Sequence, residues 1–242
     1  MSTSALPDTH TITNRTAYAA WLGTDPALVS PIDLSNQRVC ALDLGLTGTA
    51  TATDYSKGIT DAYIDRLLVA SHATVGVGGY AENRPFYTTP AYRVDTPQGP
   101  RYRSLHLGLD YWTPAGTPVY APLDGRVVVL HDNALERDYG PTLMLAHTPA
   151  TDLTFYTLYG HLDPAVLREL KLGESVTAGQ RIARVGSRAR NGNWPPHLHF
   201  QLTLDLLGNT TNFPGVAFPA EAAYWLALCP SPYAWFPGLP VG

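Results

Sequence analysis

Two histidines one residue apart, His197 and His199, lie in the run WPPHLHFQ at 194–201. In an extended strand successive side chains alternate faces, so both imidazoles point one way while Leu198 and Phe200 point the other. Upstream, HLGLD sets His106 and Asp110 with three residues between them, one of which, Gly108, leaves the backbone free to turn. A third element, LYGH, ends on His161 directly after Gly160. Imidazole nitrogen and carboxylate oxygen are both zinc ligands, and a catalytic zinc keeps three protein ligands with a fourth position open. His106, Asp110 and one of the two WPPHLHF histidines make such a set, and spacing alone does not choose between His197 and His199. Taken singly, each element has a plainer reading as hydrogen-bonded core or loop residues; their coincidence in one chain points to a metal.

The elements that must position these groups are mostly strands. From about residue 103 the chain reads TPVYAP, GRVVVLHDN, PTLMLAH and LTFYTLYGH, apolar runs with turn residues at short intervals. One helix interrupts them at DPAVLREL, with Asp163 as cap, Pro164 in the first turn and Gly173 as stop; Asp124 reads as a turn residue. ESVTAGQRIARVG then returns to strand and turn. Before residue 95 the pattern changes, with helices expected at Ala17–Leu22 and in KGITDAYIDRLLVAS, where Ile59, Tyr63, Leu67 and Val69 give partial helical spacing. RVCALDLGL between them reads as an edge strand or part of a small subdomain, and VGVGGY at 75–80 as a turn-rich loop bordering the site. After Phe213 a helix is expected in AEAAYWLAL, followed by a Pro-rich end on the surface. The expected organisation is an extension over 1–95 packed on a core at 96–212, then a helix and tail over 213–242. His10, His72, His131 and His147 are assigned turn or surface roles.

Composition agrees with a folded, β-rich chain: 242 residues, 45% hydrophobic, 15% charged, and 21 each of Gly and Pro. A net charge of −4 with no basic cluster argues against nucleic acid as a partner. The first 23 residues lack the basic and apolar segments of a secretory signal. With no run of 18 apolar residues either, the expectation is a cytoplasmic protein without membrane attachment. Cys40 and Cys229, the only cysteines, indicate neither a thiolate site nor a disulfide framework.

Residues 103 to about 205 resemble the peptidase family M23 domain, the LytM/lysostaphin-type zinc endopeptidases. HLGLD, YGH and HLH match in order and spacing, as do TPAGTPVYAPLDGRV and LGESVTAGQRIARVG. The resemblance implies a β-rich α+β fold with a two-sheet antiparallel core. It also implies Zn²⁺ on His106, Asp110 and His199, with His161 and His197 assisting the chemistry. The substrate implied is a peptide, Gly-rich or derived from peptidoglycan. NGNWPPHLHFQ departs from the family's small, glycine-containing lead-in and from the Glu that commonly follows the His-x-His. Trp194 and Pro195 therefore build a different cleft wall. The whole chain is similar to the M23-like module found between phosphotransferase and class III aminotransferase modules in some bacterial multidomain proteins, which would make those modules its partners. Two alternatives stay open: a zinc-binding but catalytically idle module, and a β-sandwich carrier domain suggested by APLDGRV and LKLGESVTAGQRIARVG.

Overall fold

The computed structural model describes residues 8–45 and 60–241. In chain order its strands are β1 (Val39–Ala41), β2 (Val75–Gly78), β3 (Arg93–Thr96), β4 (Gly99–Tyr102), β5 (Leu105–His106), β6 (Leu109–Trp112), β7 (Pro118–Tyr120), β8 (Gly125–Asn133), β9 (Gly140–Ala150), β10 (Leu153–Gly160), β11 (Ser175–Val176), β12 (Arg181–Arg184), β13 (His197–Thr203) and β14 (Val216–Ala217). Eight of them form one sheet in the order β1-β2-β6-β13-β10-β9-β8-β11. Its pairs are antiparallel except for the parallel edge pair β1-β2. The architecture is β-rich α+β, as the strand pattern and the resemblance led us to expect. The second layer is slight: a ribbon of β7 and β12 whose Val119, Ile182 and Ala183 share the core with Val127, Leu145 and Leu158 of the large sheet.

β13 is the centre of the design. Its alternation sends Leu198, Phe200 and Leu202, all fully buried, into the main core, and sends His197, His199 and Gln201 to the opposite face. Register fixes what meets them there. His199 lies opposite Asp110 of β6 and opposite Gly160 of β10, while His197 lies opposite Trp112.

The extension joins the sheet rather than lying beside it. VGVGGY is not a loop: Val75–Gly78 is strand β2, paired between β1 and β6. Its glycines reflect crowding, since a Cβ on Gly78 would stand 2.0 Å from the Leu42 carbonyl oxygen. The helix Asp61–Ala70 is capped by Thr60, whose side chain accepts from the Tyr63 amide at 3.2 Å. It buries Tyr63 and Ile64, whereas Val69 is exposed, so the apolar stripe is shifted from the one read in the sequence; Ile59 lies outside the described residues. The helix expected at DPAVLREL shrinks to Val166–Glu169, with Asp163 accepting from the Ala165 amide at 2.9 Å.

The Pro-rich end is not a surface tail. Trp235 is buried against Phe155, and its indole N–H donates to the Tyr18 hydroxyl at 2.8 Å. That contact links the C-terminal segment to the helix Arg15–Leu22. His147 also departs from its expected surface role: it is fully buried, between the Asp124 carbonyl at 2.8 Å and the Thr157 hydroxyl at 2.7 Å. His72 and His131 are exposed. Cys40 and Cys229 are both free. No helix among the described residues is long and apolar enough to cross a membrane.

Candidate metal centre and cleft

His106, Asp110 and His199 converge on one buried point. The His106 Nε2 stands 2.9 Å from the His199 Nδ1 and 3.4 Å from the Asp110 Oδ1, and the His199 Nδ1 stands 3.2 Å from that same oxygen. Gly108 makes this approach possible by clearance rather than by turning: a Cβ there would lie 2.4 Å from the His199 ring.

The outer contacts of each ring settle its tautomer. The His106 Nδ1 faces the Gly79 carbonyl at 2.9 Å, and a carbonyl only accepts, so that nitrogen carries the proton and Nε2 is bare. His199 faces Gln201 through Nε2 at 2.9 Å. The Gln201 amide N–H₂ is committed to the Pro214 carbonyl at 3.0 Å, so its oxygen points at His199 and the His199 Nδ1 is bare. Three lone-pair donors thus face one another with no hydrogen assigned among them. Such a triangle is repulsive unless it holds a cation or an extra proton, and its edges approximate the edge of about 3.3 Å expected for tetrahedral zinc with bonds near 2.0–2.1 Å. The donor set fits the metal.

Asp110 is held by its second oxygen. Arg84 donates to Oδ2 at 2.7 Å, and to the Tyr87 hydroxyl at 3.1 Å and Glu82 at 2.7 Å. Burial opposes charge on Asp110, but the Arg84 guanidinium on its second oxygen outweighs burial and holds its carboxyl well below the usual range. The same burial, together with the Arg84 cation, pushes His106 well below an ordinary histidine. Both effects leave the donors deprotonated, the state a metal requires.

His161 and His197 stand beside this triad with their ring centroids 4.2 Å apart. The His161 Nδ1 donates to the Asn191 carbonyl at 2.9 Å and the His197 Nδ1 to the Pro195 carbonyl at 2.7 Å, so both Nε2 atoms are bare as well. Burial lowers both, His197 to about 4. Trp112 stacks on His197 at 4.1 Å, as cross-strand register dictates. His161 adopts a left-handed φ of 63°, uncommon outside glycine, and is held there by its amide bond to the Tyr139 carbonyl at 2.8 Å. Gly160, just before it, makes room for the Tyr139 ring, which a Cβ would meet at 2.5 Å.

These groups open onto a cavity of about 240 Å³ whose walls include Trp194, Tyr139, Arg103 and Arg137. All five chemistry-bearing residues singled out in the sequence are gathered in this one place. Arg84, Gln201 and Tyr139 were not singled out. Gln201 had a signal, since it continues the His197, His199 alternation on one strand face; Arg84 and Tyr139 had none.

Comparison with known proteins finds relatives for the part of the chain that carries the site. The model of Peptidase family M23 matches residues 104–212. Peptidoglycan DD-endopeptidase ShyB of Vibrio cholerae is 35% identical over 97 residues, 40% of this chain and 20% of the relative. DD-carboxypeptidase/endopeptidase Mpg of Neisseria meningitidis is 32% identical over 148 residues, 59% of this chain and 30% of the relative. The chain therefore spans under a third of the length of these curated relatives. Among solved structures, a zinc containing peptidase from Vibrio cholerae is 30% identical, covering 52% of this chain and 36% of its own, with a TM-score of 0.34.

Proposed function

We propose that this chain, whose residues 104–212 match the model of Peptidase family M23, is a zinc-dependent hydrolase of peptide bonds. Its substrate would be a Gly-rich peptide or one derived from peptidoglycan, the material named for the relative ShyB. The observation that carries the reading is the set of bare donors: His106 Nε2, His199 Nδ1 and Asp110 Oδ1 around one point, with two further bare imidazole nitrogens beside it. A site built only to hold structural zinc closes on four protein ligands, whereas this one leaves His161 and His197 facing a cavity.

A zinc ion bound by His106, Asp110 and His199 supplies Lewis acidity, polarising a carbonyl and lowering the pKa of water from about 16 to about 7. The chain's own residues do the rest. His161 and His197, neutral in the resting protein, each offer Nε2 as an acceptor for the proton released by the attacking water, and either can return it to the departing amine nitrogen. The backbone acceptors on their Nδ1 atoms hold both rings in the required tautomer and steady the imidazolium once formed. Neither ring can donate to an oxyanion before it has been protonated. The Tyr139 hydroxyl can: it is buried, has no acceptor within the protein, and its ring centroid lies 5.6 Å from that of His161 and 5.2 Å from that of His199.

The test combines metal analysis with turnover on a pool of Gly-rich and D-amino-acid-containing peptides. The expected result is one zinc per chain, hydrolysis by wild type, and loss of zinc and turnover together in His199→Ala. His161→Ala and His197→Ala should keep the zinc while turnover falls about 100-fold or more. Zinc lost from either of the latter two refutes the division of roles; wild type cleaving nothing that His199→Ala does not refutes the hydrolase.

A further inference from the structure

Among the described residues, the buried polar atoms without a protein partner are concentrated in one place. Six of them belong to residues that line the cavity: Arg84 NH2, Arg103 Nε, Trp112 Nε1, Arg137 NH1, the Tyr139 hydroxyl and Trp194 Nε1. Each can donate a hydrogen bond. Buried donors are normally paired, so a wall of unpaired ones is matched by a ligand rich in acceptors.

Arg137 is the most pointed of them. Its guanidinium lies 4.6 Å over the ring of Trp194, whose centroid is 6.2 Å from that of His161. Its side chain is 17% exposed, and the one carboxylate paired with it, Glu136, is 3.8 Å away and mostly in solvent. Its backbone takes a left-handed φ of 65°, fixed by its amide donating to the Gly192 carbonyl at 2.9 Å and by the Tyr92 hydroxyl donating to its carbonyl. A non-glycine residue held in that conformation at a cavity wall is strain maintained for placement. Arg103, on the same wall, adds a second unpaired guanidinium N–H. Of the carboxylates, Asp138 also lines the cavity; its Oδ1 accepts from the Tyr139 amide at 2.7 Å and its charge faces that of Arg103, which makes Arg103 the lesser of the two cations. Arg84, the third guanidinium, is committed to Asp110 and Glu82. Of the three guanidiniums on the cavity wall, Arg137 is therefore the one that no carboxylate holds closely.

We infer that Arg137, seconded by Arg103, recognises a carboxylate on the substrate, so that this cleft prefers peptides carrying an anionic group within a few residues of the bond to be cut. An extended chain advances about 3.3 Å per residue, and Trp194 interposes one ring between the guanidinium and His161. The reach is therefore two or three residues. The planar guanidinium fork matches a carboxylate in geometry as well as charge. The carboxylate can be the chain terminus or an acidic side chain, chemistries that this wall would receive alike. The inference deepens the hydrolase reading and rests on it for the placement of the scissile bond.

Binding and cleavage should be measured separately on the zinc-loaded full chain. The probes are N-acetylated tripeptides ending in a free carboxylate or in a carboxamide, and a second, amide-terminated pair carrying Glu or Gln. Titration calorimetry should show an acid bound about tenfold or more tighter than its neutral twin, the weight of a charge-assisted hydrogen bond. The pair showing the gap identifies the source of the carboxylate. Arg137→Met should erase the gap while leaving the zinc stoichiometry unchanged. Arg137→Lys should retain part of it, and Arg103→Met, the second variant should Arg137→Met fail to fold, should narrow it. Equal affinities for acid and neutral twin in wild type, no binding of any acid at millimolar concentration, or a gap that survives Arg137→Met would each overturn the inference. Discrimination without hydrolysis would sink the hydrolase reading alone, and hydrolysis without discrimination the carboxylate reading alone.

Discussion

Gln201→Leu isolates the tautomer lock. The Gln201 side chain is fully buried; its oxygen accepts from the His199 Nε2–H at 2.9 Å and its N–H₂ donates to the Pro214 carbonyl at 3.0 Å. Leucine keeps the volume and loses both bonds. The metal-free and zinc-bound proteins share most of that loss, so it appears in folding stability, as about 1–3 kcal/mol for stranding a buried donor. What they do not share is the freedom of the His199 ring, which without Gln201 can turn, or move its proton to the Nδ1 atom that faces Asp110. Outer partners of ligating histidines carry about 10–100-fold in metal affinity, or about 1.4–2.8 kcal/mol at 1.4 kcal/mol per tenfold. Competition against a chromophoric chelator should show zinc bound that much more weakly by Gln201→Leu. Gln201→Glu, which keeps the acceptor and makes it anionic, should bind zinc at least as tightly as wild type. Thr157→Val is the control: it removes the hydroxyl that donates to the His147 Nε2 in the same sheet and should cost stability without touching zinc affinity. If Gln201→Leu binds zinc as wild type does, the tautomer argument is wrong.

Further expectations concern the metal-free protein and the cleft. Arg84→Met strips a buried carboxylate of its cation and should lower unfolding free energy by about 3–5 kcal/mol, read by denaturant titration; a loss below about 1 kcal/mol would show Asp110 held by its histidines alone. Burial lowers His147 to about 4 in the folded protein, against an unfolded value near 6.5. Between those pH values the unfolded chain binds a proton that the folded one does not. Its contribution is therefore intact above about pH 6.5 and is lost as pH falls toward 4, at about 1.4 kcal/mol per unit. His147→Gln should flatten the pH dependence of stability in that window, and an unchanged slope would contradict the assignment. Trp235→Ala, which empties an aromatic cluster with Phe155 and Trp21, should lower stability by about 3–5 kcal/mol, visible in thermal unfolding; a surface residue would cost almost nothing. Trp194→Gly should alter which peptides are cleaved while the protein keeps one zinc, and an unchanged cleavage profile would reduce Trp194 to packing.

The strand pattern after residue 103 was legible because burial there is one-sided: alternation in HLHFQLT separates a core face from a site face, and that alone places His197 with His199. Preferring His199 to His197 as the proposed ligand was not legible from spacing. It depends on which strand neighbours bring carboxylate and carbonyl partners, and the residue opposite His199 is Asp110 while the residue opposite His197 is Trp112. VGVGGY misled because glycine signals a turn in sequence, whereas here it marks a strand pressed against the Leu42 backbone and side chain. The tail misled for a similar reason: prolines predict an irregular path, which the tail has, but not its depth, which Trp235 and Tyr18 decide across 217 residues of chain. Arg84 stayed hidden because its partner Asp110 is 26 residues away, with no periodic relation between them.

The way β2 lies against β6 has a consequence for anyone cloning fragments. The family match begins at residue 104, but Asp110 of β6 is paired across to Gly78 of β2, and the ring of His106 is oriented by the Gly79 carbonyl. A fragment cut at the homology boundary would present β6 as a raw edge, with its ladder of amides and carbonyls open to the next molecule's strand. It would also discard Arg84 and the acceptor that orients one of the three metal-facing donors. The border of recognisable ancestry and the border of the cooperative unit are different borders here. A shortened protein that precipitates or binds metal poorly would therefore report on the cut and not on the chemistry of the intact chain.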